Sequence, residues 1–172
     1  MGHITQMNKQ QIIDGMNKRK KRIKLLLIVG AAVILGTILI SKIGQTSMPV
    51  LEANALGNVE VPKSGLSTKG SFYRHEHEGV MMEFFILEDQ NGTVRMAFNR
   101  CQVCYESGRG YFVQKGEYFI CQNCGNKYHF TAIGTEKGGC NPSPIFPSDR
   151  LESTDSIDIK PGIFDENKYL FQ

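Results

Sequence analysis

Four cysteines stand in two Cys-x-x-Cys pairs, Cys101-Gln-Val-Cys104 and Cys121-Gln-Asn-Cys124, with 16 residues between them. That pattern leaves a short chain few ways to fold. A two-residue gap on a tight turn points both sulfurs of a pair inward, and the turn's backbone amides can hydrogen-bond the thiolates. The chain between the pairs must travel out and come back. Residues 105–120 can do so as strand, Lys115-Gly116 turn and strand. Gly125, directly after the second pair, permits the positive φ of a metal-binding knuckle. The spacing fits a four-sulfur site for zinc or a single iron, and four cysteines also hold iron–sulfur clusters. Two disulfides are the alternative, favoured in an oxidising compartment. Neither pair opens a predicted helix, which argues against a thioredoxin-like dithiol.

Cys140 makes the count odd. It lies in GTEKGGCNPSP (134–144), where two glycines precede it and Asn141-Pro142 follows. Such a loop could bring a fifth thiolate to the site, as an exchangeable ligand or redox handle. Equally, Cys140 could be a small buried residue in a turn. A second candidate site is FYRHEHEGVMMEFF (72–85). On a strand, His75 and His77 share a face. Met81 or Met82 would add a soft ligand suited to copper, with His129 a further candidate. The plain alternative is a polar turn before a strand, with a methionine in the core.

The rest of the outer chain reads as strands. VMMEFFILE (80–88) and TVRMAF (93–98) flank Asp89-Gln90-Asn91-Gly92, a hairpin signal. GYFVQ (110–114), EYFI (117–120) and YHFTAI (128–133) are further strand candidates, and SIDIKPGIF (156–164) reads as an edge strand broken by Pro161. No helical period is sustained after residue 43. The expected fold class is mainly β: a small extracytoplasmic β domain, residues 71–172, with a ribbon-like two-CxxC knuckle unit. Residues 44–70, rich in Gly, Ser, Asn and Pro, read as a linker with a short strand near Val59–Val61.

Charge and hydropathy divide the chain. Residues 1–24 carry seven Lys or Arg against one acid, Asp14, while the remainder holds more acid than base. The outer part therefore lacks the basic footprint of a nucleic-acid binder. Leu25 to Ile40 is a 16-residue apolar run, about 24 Å long as a helix. Ile23 and Ile43 extend it, and Lys24 and Lys42 can snorkel. We expect a transmembrane anchor over residues 23–43, with a cytoplasmic basic segment at 1–22 and the C-terminal domain outside. A signal peptide cleaved near Ala53-Asn54-Ala55 is the alternative.

AFNRCQVCY (97–105), Gly110-Tyr111, CQNCG (121–125) and GGCNPSP (138–144) together resemble the FtrD-like, membrane iron–sulfur-containing domain of bacterial iron-uptake systems. The likeness runs from about Phe72 to Phe164. The resemblance implies iron or an iron–sulfur cluster as cofactor, a place beside a membrane permease or transporter complex, and a role in electron transfer or metal delivery. Zinc and copper are the other metals the residues allow. The rival functions are a copper or iron metallochaperone and a structural zinc-ribbon interaction domain. No HExxH, GxSxG or phosphate loop is present, so no classical enzyme activity is expected.

Overall fold

The computed structural model describes residues 48–172, together with Asp14, residues 16–21 and Lys24. The chain divides into two units, Met1–Ser47 and Met48–Gln172. Apart from Lys24, the expected anchor at 23–43 lies outside the described residues. Among the described residues no helix is long and apolar enough to cross a membrane.

The second unit is mainly β, with three sheets among the described residues. The central sheet has β2 (Ser71–His77), β3 (Val80–Glu88), β4 (Val94–Cys101) and β8 (Pro142–Pro144), in the order β2-β3-β4-β8. The second sheet orders β1 (Val59–Pro62), β10 (Ser156–Ile159) and β9 (Arg150–Glu152). The third is a meander of β5 (Phe112–Lys115), β6 (Tyr118–Cys121) and β7 (Lys127–His129). All strand pairs are antiparallel.

β3 explains why the domain has two cores. A strand packed on one face alternates apolar and polar residues, whereas one packed on both reads as a continuous apolar run. Phe84, Phe85, Ile86 and Leu87 are all fully buried. Met82, Phe84 and Ile86 point to one side, where they meet Val59 and Val61 of β1, Ile157 and Ile159 of β10, and Phe164. Phe85 and Leu87 point to the other, where they meet Phe112, Phe119, Phe130 and three cysteines. Phe85 and Phe119 stack with ring centroids 4.4 Å apart, joining the meander to the central sheet.

Both expected hairpins form. The Asp89 amide donates to the Thr93 carbonyl at 2.9 Å across the first turn, and Lys115-Gly116 closes the second between β5 and β6. The short strand expected near Val59–Val61 forms as β1, which pairs Val59 with Ile159 and Val61 with Ile157, and both valines are fully buried. Two expectations need correction. The 156–164 segment is not an edge strand: β10 lies between β1 and β9, and Pro161 opens a short helix, Pro161–Asn167. Proline suits that position because the first helical N–H has no partner to lose. Of YHFTAI only the first two residues are strand, as the end of Lys127–His129, and Phe130–Ala132 is a 3-10 turn that buries Phe130.

Candidate metal centre

β4 ends at Cys101 after a register shift between Phe98 and Cys101. The chain then turns through Cys104, whose amide donates to Cys101 Sγ at 3.3 Å. Ser107 holds that turn by donating its hydroxyl to the Cys104 carbonyl at 2.7 Å. At the end of β6, Cys121 starts the second turn. Its amide donates to the Asn126 carbonyl at 2.9 Å, and Gly125, at φ 77°, returns its own amide to the Cys121 carbonyl.

Two consecutive residues bind the turns to each other. The Gly110 carbonyl accepts from the Cys101 amide at 2.7 Å, and the Tyr111 carbonyl accepts from the Gln122 amide at 2.8 Å. Position 110 must be glycine: a Cβ there would lie 2.4 Å from the Cys104 carbonyl oxygen.

The Cys140 loop is fastened by side chains. Gln102, inside the first CxxC, donates its amide nitrogen to Asn141 Oδ1 at 3.1 Å and accepts from the Gly138 amide at 3.1 Å. Asn141 in turn donates to the Glu136 carbonyl. Cys140 is thereby held over both turns. Its sulfur lies 3.2 Å from Cys101 Sγ, 3.8 Å from Cys104 Sγ and 2.7 Å from Cys124 Sγ. The sulfurs of Cys101, Cys104, Cys121 and Cys140 all lie within 4.8 Å of one another. None of the five cysteines is in a disulfide. Cys101, Cys104 and Cys121 are buried, Cys140 is half-buried and Cys124 is exposed.

The thiols differ electrostatically. A hydrogen bond from the Asn123 side chain, aided by Cys101, Cys124 and Cys140, lowers Cys104 to about 7 against the opposing effect of burial. Burial pushes Cys121 up to about 11, although the Cys124 and Asn123 amides partly offset it. Burial and shared hydrogen bonds with Cys124, Cys101 and Cys104 hold Cys140 well above the usual thiol range. In the absence of a cation the surroundings favour protons on Cys121 and Cys140; a bound metal ion would reverse that balance by taking thiolates as ligands. The set is all sulfur, the choice of soft and borderline metals such as zinc, copper(I) and iron.

The second candidate site does not assemble as a unit. His75 and His77 share a face of β2, with ring centroids 6.0 Å apart, and both lie against Phe164. His75 is buried, its Nδ1 2.9 Å from the Leu51 carbonyl oxygen. Met81 pairs across from Glu76, which places it on the opposite face of the hairpin, and it is exposed. His129 belongs to β7 in another sheet, where its Nδ1 is 2.7 Å from Thr131 Oγ1. His77 instead meets Asp165 at 2.6 Å, beside Glu78. Glu78 is drawn below the usual carboxylate range by its contact with Lys168.

Gln102, Asn123 and Asn141 support the centre and went unnoticed in the sequence. Each is an amide beside a cysteine, and that adjacency is the only local signal they offer. The residue Asp165 was likewise silent, being 88 positions from its partner His77.

A family model described as "Membrane iron-sulfur containing protein FtrD-like" matches residues 67–171. The match contains all five cysteines. No curated protein and no solved structure matches the chain.

Proposed function

This chain belongs to the FtrD-like family, and from that premise we propose that it is a membrane-anchored protein holding iron at its cysteine centre outside the cytoplasmic membrane. A single N-terminal span over residues 23–43 tethers it beside a permease or transporter complex. There it supports iron transport by passing electrons or metal, without turning over a substrate of its own. The observation that carries this reading is the convergence of Cys101, Cys104, Cys121, Cys124 and Cys140 on one locus, with no disulfide among them.

Iron in such a sulfur set supplies a one-electron couple. The chain's contribution is to orient the sulfurs, donate backbone and Asn123 hydrogen bonds to them, and exclude water behind Phe112 and Ile133. A second reading, a metallochaperone handing copper or iron to a partner, is favoured by one feature: Cys124 is exposed while the other four cysteines are not.

The test is metal analysis and an absorption spectrum on the full chain in detergent, purified without added metal. Stoichiometric iron with reducible charge-transfer bands supports the iron reading. Bound copper moves the function to a metallochaperone. Colourless stoichiometric zinc makes the centre a structural ribbon and overturns it.

A further inference from the structure

Five sulfurs meet where one tetrahedral ion needs four. A metal–sulfur bond of about 2.3 Å sets the sulfur–sulfur edge of such a tetrahedron at about 3.8 Å. Cys101, Cys104, Cys121 and Cys140 are packed on that scale, with Cys140 at 3.2 and 3.8 Å from Cys101 and Cys104 and all four within 4.8 Å of one another. A core of two or four irons divides its thiolates among irons that are bridged by sulfide. Thiolates on different irons must therefore stand further apart than the edge of a single-ion tetrahedron.

The surroundings resist that expansion. Cys101, Cys104 and Cys121 are members of the second core and are packed with Phe85, Leu87, Phe112 and Ile133. The Gly110 backbone already sits against Cys104 with no room for a methyl group. The Gln102–Asn141 and Gln102–Gly138 hydrogen bonds hold the Cys140 loop down on the first turn.

We propose that the centre holds a single metal ion rather than an iron–sulfur core, with Cys101, Cys104, Cys121 and Cys140 as its ligands. Cys124 is the fifth, exchangeable sulfur, a thiol until it binds. This rests on the metal reading above and departs from the family's description. It also departs from the ligand set that spacing alone suggests, which pairs Cys121 with Cys124. Cys124 stands outside the mutual four, is exposed, and reaches Cys140 at 2.7 Å. In the exchange, the Cys124 sulfur forms a bond to the ion as the Cys140 sulfur leaves. The proton lost by Cys124 passes to Cys140, and the oxidation state of the ion is unchanged. The result is an ion bound at its exposed side by a replaceable ligand, which is the side from which a partner's thiol or a chelator would take it.

The experiment has two arms on the full chain in detergent, purified anaerobically. Metal and acid-labile sulfide are first counted per chain. One metal ion without sulfide is expected; iron as that ion supports both readings, and zinc as that ion supports the single-ion centre while overturning the iron function. Two or four irons with matching sulfide overturn the single-ion centre and leave the iron function standing. No metal, with two disulfides formed, overturns both. The second arm compares Cys124→Ser with Cys140→Ser, each checked for intact β structure by circular dichroism. Cys124→Ser is expected to keep one ion and to slow its release to a chelator at least tenfold. Cys140→Ser is expected to bind through Cys124 and release its ion faster than the wild-type chain. An emptied Cys124→Ser beside a fully loaded, slowly releasing Cys140→Ser overturns the ligand assignment.

Discussion

The two sides of the β3–β4 hairpin are buried by different means. One core is closed without thiols: none of its thirteen buried members is a cysteine. The other is smaller, and three of its ten are cysteines. A buried free cysteine packs as a small hydrophobe. It contributes far less apolar area than a phenylalanine, so a metal ion on these sulfurs would add most to the second side. The first core also receives β1 and β10 from opposite ends of the domain, whereas the meander over the second core comes from a single stretch, residues 112–129. One side is therefore closed by long-range pairing and the other by a local unit pinned at its knuckles. The candidate metal centre sits on the side closed by the local unit.

The largest effect should come from Phe84→Ala. Phe84 is fully buried and meets Phe164 edge-on at 6.3 Å. Its removal should cost about 3–5 kcal/mol, read by urea unfolding, with the same loss whether or not a chelator is present. Phe119→Ala is the matched test on the other side, because its ring stacks on Phe85. There the loss should be larger after chelation than before, and hydrogen exchange should rise in 112–129 while β1 and β10 stay protected. Equal loosening of both sheets would show that the domain opens as one body.

Gly110→Ala comes next. A methyl group at 2.4 Å from the Cys104 carbonyl must push the first knuckle outward. Overpacking of this kind costs about 1–3 kcal/mol. The damage should appear as weakened metal retention before it appears in the thermal midpoint of the first core. Gln102→Ala should cost about 1 kcal/mol, the net worth of the hydrogen bonds it loses. Its signature is local: Cys140 should react faster with a thiol reagent, and Cys101, packed in the core, should not.

How much of this was legible follows the distance over which each feature is encoded. The β3–β4 hairpin was plain because a run of apolar residues and an Asn-Gly turn are neighbours in sequence. The strand–turn–strand between the cysteine pairs was plain for the same reason. β1 was legible only as a short strand near Val59–Val61; its pairing was hidden, since its partner β10 lies about a hundred positions away. The helix at Pro161–Asn167 spans two turns, too few for a period to declare itself. Cys140 stayed open because nothing near it says where its loop lies. That is decided by Gln102 and Asn141, 39 positions apart.

The smallest effect should come from Asp89, and it bears on whether the two sides are joined at their shared hairpin. Asp89 accepts from the Asn91 and Thr93 amides at 2.9 and 3.0 Å through one oxygen, and from Arg95 at 3.0 Å through the other. Burial would raise its pKa, but the Thr93 and Asn91 amides and the Arg95 guanidinium outweigh burial and hold it below the usual value of 3.8. A carboxyl depressed in the folded state contributes stability above its unfolded value, and that contribution is lost as pH falls through the folded one. Acid should therefore weaken the wild-type hairpin below about pH 4, and Asp89→Asn should remove that part of the pH dependence. Because β3 and β4 carry side chains into both cores, the acid loss should register equally in Phe84-side and Phe119-side probes. A loss confined to the meander would place the hairpin's turn in the service of the cysteine-bearing side alone.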